Sequence, residues 1–512
     1  MKIKPIFFVL LFVSIVYILT ASNTPPQTDG GCYTTLARSL ASGHGYRQYP
    51  LSNEPHTKYP YLYPILIAPL QKFFPADFYL LYVLNALFTI LSAYLVFFIF
   101  KSLFSEKLAT LLTFVVSLNA YTFVQYVHKA RPEALYTLAS LLAIVLIEKY
   151  VVTRANRFLF LSALAISGAC YSKQIGFTLI ISGIIYLLYH KNWKAALTLG
   201  LVSTLLISPW WHRVLTQTPS AVPPSDLNIP NQERWYSSFA AFFEHCSSWA
   251  HWVVFPTFFS FFRFVKNATL ENTTNLGVIK NIITFAICIP TGIGFFFHLR
   301  QRRYFFDFYV PIYLMIITVS GNYMAYRLLY PIVPFLFYYL ITGTNVTFGQ
   351  LSRSFSIVSG WKISFKLLKI VLLCLVVYSA LLQNFHQIYW QRTGRLTRPW
   401  NAYFEAAKWV RSNLPDNAVV MCQMANNFYL VANRISVDPP LTMYTDETYR
   451  KLFMGLINDL NVRYVVVTVP SFASADMYGK NYMLPVVEKG KFKLLTVIKK
   501  FGGEARVYEV KI

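Results

Sequence analysis

Two charged residues in the stretch Pro25–Leu70 have a setting that suits chemistry. Asp29 is the first acidic residue of the chain, and the next one is Glu54. Asp29 precedes a run with apolar residues at helical spacing, so the alternative to a functional carboxylate is a cap at the positive end of that helix. Lys58 stands just before an apolar run. A lysine there is either a phosphate ligand or an anchor whose ammonium group reaches the membrane surface.

Further charged residues lie at the ends of other apolar runs. Arg131 and Glu133 flank Pro132, and the alternative to a functional role is structural, since proline and an acidic residue both suit the start of a helix. Lys173 interrupts an apolar hairpin, where a charge is costly and points to function. Arg327 precedes another apolar run, and its alternative role is that of an interfacial anchor.

The elements that must position these charges are membrane spans. Of the 512 residues, 55% are hydrophobic and 13% are charged, whereas soluble proteins average about 25% charged residues. Several apolar runs reach the length of about 18 residues that crosses a bilayer. The net charge of +25 would suggest nucleic acid in a soluble protein. Here the basic residues lie largely in loops between apolar runs, so membrane orientation and anionic lipids explain them better, and no nucleic-acid partner is predicted.

About eleven spans are predicted for this mainly α polytopic membrane protein. They lie near residues 5–21, 79–101, 108–126, 132–150, 157–171, 174–190, 195–211, 279–298, 304–321, 327–343 and 365–383. With the N-terminus inside, every inner loop is basic, as the positive-inside rule requires. The apolar stretch 249–264 is interpreted as interfacial, because a twelfth span there would place Arg300–Arg303 outside. Two long outer loops result, at 24–77 and 212–278.

This topology brings distant cations to one membrane face. The residues concerned are Lys58, Arg131, Lys173 and Arg327. Convergent cations suit a phosphate or diphosphate. A lipid-linked phosphate carries its charge at that depth, and its tail needs an apolar groove. The spans would provide the groove, and Tyr59, Tyr61 and Tyr63 would form its aromatic lip.

The C-terminal part of the chain has a different pattern. After Leu382, amphipathic helices alternate with short apolar strands, which predicts a small extracytoplasmic α/β domain. The predicted helices are 403–414 and 446–460, and the predicted strands are 418–422, 464–469, 492–498 and 506–510. The chain thus divides into a transmembrane domain, 1–383, and a soluble domain, 384–512. The cysteines are scattered without metal-ligand spacing, so no metal or other cofactor is predicted and a divalent cation has no support.

The first outer loop contains an ordered pattern: an acidic residue, then Tyr-x-x-Leu-Ala-Arg-x-Leu-x-x-Gly, then a basic residue before Pro-x-x-Tyr-Pro. Its members are Asp29, Tyr33, Leu36, Ala37, Arg38, Leu40, Gly43, Lys58, Pro60, Tyr63 and Pro64. This pattern resembles the first loop of polyprenyl-phosphate-dependent glycosyltransferases with the GT-C fold, which include protein O-mannosyltransferases and lipid A aminoarabinose transferases. Segments 131–136 and 326–334 resemble two further motifs of that group. Many relatives have a second acidic residue where this chain has Gly30.

The resemblance implies a transferase that moves a hexosyl or pentosyl unit from a polyprenyl-phosphate donor. Asp29 and Glu133 are the implied catalytic acids, with Asp29 as the base that accepts the acceptor's proton. The implied donor-phosphate ligands are Lys58, Arg131, Lys173 and Arg327. The implied lipid and sugar contacts are Tyr33, Tyr59, Tyr61, Tyr63 and Tyr330. Inversion by single displacement needs only one base, and no outer loop has a DxD metal motif, so a metal-independent reaction is expected.

The implied location is the cell (inner) membrane, with the site on the extracytoplasmic face among membrane lipids. The acceptor stays open between a protein, lipid A and another glycan. The alternative function is a transporter or a flippase for lipid-linked sugars. Such proteins often show internal repeats and charged or broken helices at mid-membrane. The sequence shows neither feature, and its charges gather at one predicted face.

Overall fold

The computed structural model describes most of the chain. The described residues are 4–118, 127, 129–217, 274–319, 328–354, 398–439, 446–468, 495–501 and 505–511. Four features of the predictions lie outside them: Arg327, the segment 249–264, the span at 365–383, and the domain boundary at residue 383.

The first part of the chain folds into a bundle of helices. They are α1 (Pro5–Thr20), α2 (Asp29–Ala41), α3 (Leu62–Phe73), α4 (Tyr79–Leu103), α5 (Glu106–Ser117), α6 (Glu133–Thr153), α7 (Asn156–Ser172), α8 (Phe177–Tyr189), α9 (Trp193–Gln217), α10 (Thr274–Gln301), α11 (Phe305–Val319) and α12 (Val333–Ser354). Helix α4 packs on α6, α6 on α7, α7 on α9, and α10 on α12. Large apolar side chains such as Phe98, Leu164 and Leu205 face outward from the bundle. An apolar exterior of this kind suits contact with lipid.

A helix occurs at each predicted span that the described residues cover. Among the described residues, α4 and α6 are both long and apolar enough to cross a membrane. The segments Pro5–Leu19, Gln174–Tyr189 and Phe305–Thr318 are apolar but shorter. The count of eleven crossings therefore stays a prediction.

The loop 24–77 contains two helices of its own, α2 and α3. Helix α2 coincides with the amphipathic run predicted after Asp29. It ends at Ala41, and Gly43 and Gly45 beyond it have φ values of +81° and +77°. Glycine adopts this left-handed conformation without steric cost, which explains why the helix stops there. Helix α3 begins at Leu62, in the apolar run that follows Lys58.

The C-terminal part forms a five-stranded sheet flanked by helices. Its elements are α13 (Arg398–Asn413), β1 (Val419–Cys422), α14 (Ala425–Ala432), β2 (Ile435–Val437), α15 (Asp446–Asp459), β3 (Tyr464–Thr468), β4 (Leu495–Phe501) and β5 (Ala505–Val510). The strand order is β2-β1-β3-β5-β4. Strand β1 pairs in parallel with β2 and β3, whereas β5 is antiparallel to β3 and β4. The mainly helical chain with one small α/β sheet matches the predicted fold class.

Both faces of this sheet are covered. Tyr403 of α13 and Phe428 of α14 pack on one face, and Phe453 and Ile457 of α15 pack on the other. Strand β1 is buried on both sides, which is typical of a parallel strand between layers of helices. The predicted elements of this region are confirmed, whereas α14 and β2 are additions to the sequence-based prediction.

Candidate active site

Asp29 is the first residue of α2, so its carboxylate stands at the positive end of the helix. The preceding residue, Thr28, has a φ of +52°, which turns the chain into the helix. The N–H groups of Gly30 and Gly31 donate hydrogen bonds to the carbonyl oxygens of Gln27 (3.1 Å) and Thr28 (3.0 Å). Asp29 nevertheless remains partly exposed. The backbone around Asp29 is thus held in place, and the side chain is still accessible from solvent.

Tyr33, one turn further along α2, links several of the predicted site residues. Its ring lies 4.7 Å from that of Tyr59 and 5.7 Å from that of Tyr63, measured between centroids. Its hydroxyl is within electrostatic range of both Asp29 and Glu133. Tyr63 is fully buried. It therefore supports Tyr33 from behind rather than forming part of an exposed lip.

Lys58 is the exposed cation of this region. Its ammonium nitrogen is 6.0 Å from the centroid of the Tyr59 ring. The backbone carbonyl of Lys58 accepts a hydrogen bond from the Gln174 side chain at 3.3 Å. This contact ties the Lys58 segment to the turn that carries Lys173, so two of the predicted phosphate ligands come from neighbouring segments.

Glu133 and Lys173 form an ion pair. The Lys173 ammonium nitrogen lies 3.0 Å from Oε1 of Glu133, and the two side chains are 19% and 3% exposed, respectively. Helix α6 begins at Glu133 directly after Pro132, as the sequence predicts. The ion pair therefore holds the Lys173 ammonium group at the start of α6.

Arg131 is buried, with 4% of its surface exposed. Its Nη2 donates a hydrogen bond to the hydroxyl of Thr28, the residue before Asp29. Its Nε has no hydrogen-bond partner within the described part of the chain. Two residues before Arg131, the carbonyl of Lys129 accepts a hydrogen bond from the side chain of Asn85 at 2.7 Å. Arg131 therefore contacts the start of α2 and does not reach solvent as Lys58 does.

Two further predicted contacts lie apart from this arrangement. The Tyr61 ring packs against Tyr171 at 4.7 Å and against Trp210 at 5.6 Å. Tyr330 is 3% exposed and lies within electrostatic range of Tyr17 in α1. Tyr61 thus forms part of an aromatic cluster beside the Lys58 segment, and Tyr330 is a buried residue of the bundle.

Arg213 is a contributor that the sequence analysis missed. Its Nε donates to the carbonyl of His56 at 3.1 Å, and its Nη2 donates to the carbonyl of Tyr46 at 2.8 Å. The ring of His56 accepts a hydrogen bond from the N–H of Tyr59 at 3.1 Å. The pKa of His56 is lowered to about 4, chiefly by burial and in smaller part by the nearby cations Lys58 and Arg213. A neutral His56 is the form that can accept this bond.

Arg213 escaped notice because α9 was predicted to end at residue 211. The helix runs to Gln217, and the guanidinium group lies over the Tyr46 ring at 5.6 Å. Trp210 is 2% exposed and packs with Tyr46 and Tyr61, which extends the buried face of the helix. The available signal was Val214, one turn after Trp210, which continues the apolar face.

Asp438, at the carboxyl end of β2, was also missed. Its carboxylate accepts a hydrogen bond from the N–H of Ala425, the first residue of α14, at 3.0 Å. The side chain of Asp438 is accessible to solvent. The neighbouring protein nevertheless desolvates its carboxylate, which raises the pKa of Asp438. Burial raises the pKa of the Cys32 thiol to about 12, and the charges of Asp29 and Asp438 act in the same direction. The C-terminal sheet therefore brings a further carboxylate to the Asp29 region.

The described site combines groups with complementary properties. An exposed lysine, a carboxylate at the start of α2 and the partly exposed ring of Tyr59 are near one another, whereas Tyr33 is 4% exposed and packs against Tyr59. Such a set can bind a phosphate with the lysine, accept a proton with the carboxylate and pack against a sugar or a lipid with the aromatic rings.

Residues 58–212 match the family model described as dolichyl-phosphate-mannose-protein mannosyltransferase. The matched segment includes Lys58, Arg131, Glu133 and Lys173. No curated protein matches the chain in a sequence comparison.

Solved structures share the fold over nearly the whole chain. ArnT from Cupriavidus metallidurans bound to undecaprenyl phosphate matches with a TM-score of 0.59 at 12% identity, over 98% of this chain and 97% of that one. Its apo state gives a TM-score of 0.60 with the same identity and coverage. The archaeal oligosaccharyltransferase AglB from Archaeoglobus fulgidus, in complex with an inhibitory peptide and a dolichol-phosphate, gives 0.56 at 14% identity, over 99% of this chain and 74% of that one. The predicted resemblance is therefore confirmed: the chain is a GT-C-fold membrane protein similar to the polyprenyl-phosphate-dependent glycosyltransferases.

Proposed function

We propose that this protein transfers a sugar from a polyprenyl-phosphate-linked donor to an acceptor at the extracytoplasmic face of the cell membrane. One observation carries the proposal. Around Tyr33, Asp29 and Lys58 of the loop 24–77 meet Glu133 and Lys173, which come from two later parts of the sequence. The packing of a helical bundle does not require these charged groups in one place. Sugar transfer from a phosphate-linked donor does, because cations stabilise the leaving phosphate and a carboxylate accepts the acceptor's proton.

The proposed reaction is a single displacement with inversion. Asp29 accepts the proton of an acceptor hydroxyl as the acceptor oxygen attacks the anomeric carbon. The bond between that carbon and the donor phosphate breaks, and polyprenyl phosphate leaves with the electron pair. Lys58 stabilises the negative charge that develops on the phosphate oxygens. One carboxylate suffices for this chemistry, because no covalent glycosyl-enzyme is formed.

The other predicted residues receive distinct roles. Lys173 is proposed as a second phosphate ligand, held in place by its ion pair with Glu133. This role for Glu133 fits its burial better than proton acceptance from a bulky acceptor. Arg131 is proposed to fix the start of α2 through Thr28. Arg327 lies outside the described residues and remains a proposed phosphate ligand.

The donor class is inferred from fold and chemistry together. ArnT was solved with undecaprenyl phosphate and AglB with a dolichol-phosphate. A polyprenyl phosphate places one anionic group at the membrane surface, where Lys58 is exposed. Lipid, glycan and peptide acceptors all offer a nucleophile that a carboxylate at Asp29 can activate, so all three classes belong in an acceptor panel.

The first prediction tests the base. Asp29→Asn keeps the size of the side chain and an oxygen at the helix start but removes the proton acceptor. Turnover should fall by about 10²–10⁴-fold, the usual contribution of a general base, while donor binding is unchanged. The measurement is the release of polyprenyl phosphate by purified protein from radiolabelled mannosyl, arabinosyl and glucosyl lipid donors, with a panel of acceptors.

Glu133→Gln is the matched control. It should lower donor affinity, because Lys173 loses its partner, and should leave residual turnover at saturating donor. A fully active Asp29→Asn together with an inactive Glu133→Gln would identify Glu133 as the base instead. Failure of the wild-type protein to release polyprenyl phosphate from any donor would favour a transporter.

A further inference from the structure

Helix α14 of the C-terminal sheet region packs against the first turn of α2. The side chain of Asn427 donates a hydrogen bond from Nδ2 to the carbonyl oxygen of Pro26 at 2.8 Å. Asn427 is 1% exposed, so this bond is shielded from water. Pro26 precedes Asp29 by three residues. The contact therefore joins the C-terminal region to the short segment that sets the position of the Asp29 carboxylate.

The fit at this contact is close enough to exclude a side chain. A Cβ atom added to Gly31 would lie 2.4 Å from Nδ2 of Asn427. On the opposite side, a Cβ atom on Gly30 would lie 3.2 Å from the carbonyl oxygen of Ala130. The first turn of α2 is thus held between α14 and the segment before α6. A side chain at either glycine would meet one of these two neighbours.

A second set of contacts anchors the other end of α14. Nη1 of Arg38 donates to the carbonyl of Leu430 at 3.4 Å, and the guanidinium group lies 6.0 Å from the centroid of the Tyr429 ring. Nε of Arg38 donates to the side chain of Gln71 at 3.0 Å. Helix α14 therefore contacts α2 at two places. The Asn427 contact governs the Asp29 end, and the Arg38 contacts hold the helices together without it.

We propose that Asn427 is a positioning residue for Asp29, so that sugar transfer requires the C-terminal region to be docked on α2 through α14. Asn427 touches neither donor nor acceptor in this proposal. It fixes the Pro26–Gly31 segment, and through it the direction of the Asp29 carboxylate. The inference rests on the proposed role of Asp29 as the base.

The second prediction separates positioning from general stability. Asn427→Asp keeps the shape of the side chain but replaces the donor group by an oxygen that faces the Pro26 carbonyl. The kcat should fall by about 10- to 100-fold, the effect expected when a reacting group is misplaced by about 1 Å. The KM for the donor should stay unchanged, because Lys58 is not affected. Asn413→Asp, at an exposed position of α13, is the matched control and should retain wild-type kinetics.

A double substitution tests the same contact from the other side. Gly31→Ala should lower kcat in the wild-type background, although alanine favours a helix more than glycine does. In the Asn427→Ala background the added methyl group has room. The double variant should then be no slower than Asn427→Ala alone. This outcome depends on the contact itself, and it is measurable even if Asn427→Asp folds poorly.

Two results would overturn the proposal. One is wild-type kcat in both Asn427 variants, and the other is independent, multiplicative losses from Gly31→Ala and Asn427→Ala. If Asp29 is not the base, Asp29→Asn will be active regardless of the kinetics of the Asn427 variants. That outcome can therefore be told apart from both of these results. Thermal unfolding of the full chain in detergent identifies variants whose loss of turnover comes from unfolding.

Discussion

At the scale of single residues, Cys32 reports on the charges around Asp29. Its thiol lies within electrostatic range of Asp29, Asp438 and Lys58. Burial is the main cause that raises the thiol pKa to about 12, and the two carboxylates add to it. At neutral pH the fraction of reactive thiolate is therefore very small, so Cys32 should react slowly with alkylating reagents despite its partial exposure.

The third prediction uses this property. In a variant whose only cysteine is Cys32, Asp29→Asn or Asp438→Asn removes a negative charge near the thiol. The thiol pKa should fall, and alkylation at pH 8 should become faster, by less than the roughly tenfold that a full pKa unit would give, because burial is the larger cause. Glu54→Gln, an exposed carboxylate in the same loop, should change nothing. Equal rates in all three variants would show that neither aspartate acts on this thiol.

The sequence identified which residues carry charge at the site but not how they pair. Lys58 and Lys173 were both predicted as phosphate ligands, and a local pattern suffices for that because each interrupts or begins an apolar run. The ion pair between Lys173 and Glu133 joins the start of α6 to the residue that follows α7, 40 positions later in the sequence. No local pattern specifies such a pairing, because it depends on how α6 and α7 pack.

At the scale of elements, the segment that carries Lys58 is held from outside itself. Arg213 binds the carbonyls of Tyr46 and His56, and the Tyr46 hydroxyl donates to the carbonyl of Tyr59 at 2.7 Å. The two hydrogen bonds from Arg213 of α9 thus hold both ends of the segment 46–56, which leads to Lys58. Arginine suits this role because its planar fork binds two carbonyl groups at once.

The fourth prediction concerns this support. Arg213→Ala should raise the KM for the donor while kcat at saturating donor changes little, because Lys58 loses its fixed position and Asp29 does not. The loss should be smaller than that of Lys58→Ala, where truncation of one member of a desolvated charge pair costs roughly 2–5 kcal/mol. Arg213→Lys keeps the charge but not the fork, and should recover only part of the affinity.

His212→Ala is the control for Arg213, since His212 is exposed on the neighbouring position of α9. It should bind donor as the wild type does. Donor affinity that is unchanged in Arg213→Ala but lost in Lys58→Ala would mean that the loop keeps its shape without the arginine.

Prediction of the elements themselves depended on length and on end signals. Helix α2 was predicted because apolar residues repeat at helical spacing between Asp29 and two glycines. Helix α14 was missed because it has only eight residues and follows Met424, which adopts a left-handed conformation and provides no side-chain cap. Strand β2 has three residues, too few for a periodic pattern.

At the scale of the whole molecule, the direction of the parallel strands places one edge of the C-terminal sheet beside the candidate site. Strands β1, β2 and β3 run in the same direction, so their carboxyl ends share one edge of the sheet. Helix α14 and Asp438 follow β1 and β2 at that edge, where ligands of α/β sheets usually bind. Sequence analysis predicted the sheet but not this docking, because contacts between residues 401 positions apart leave no local signal.

The docking of α14 on α2 also constrains the topology. Two segments in contact lie on the same side of the membrane, so an even number of crossings must separate the loop 24–77 from the C-terminal region. The predicted eleven spans place one crossing before this loop and ten after it, which satisfies the condition. An additional crossing at 249–264 would make the number of crossings between the two segments odd. It would also place the basic segment Arg300–Arg303 on the outer side.

The fifth prediction follows from this count. Reporter fusions after Lys107 and Arg303 should give cytoplasmic signals, because both sites lie in basic inner loops, and a fusion after Ile512 should give an extracytoplasmic signal. A cysteine placed at exposed Glu54 should be labelled from outside in intact cells by a reagent that does not cross the membrane, which tests the loop 24–77 independently. Labelling of Glu54→Cys from outside together with a cytoplasmic signal at Ile512 would contradict the contact between α2 and α14. If residue 54 and Ile512 were both cytoplasmic, the orientation of the whole molecule would be the reverse of the predicted one, and the site would lie at the inner face.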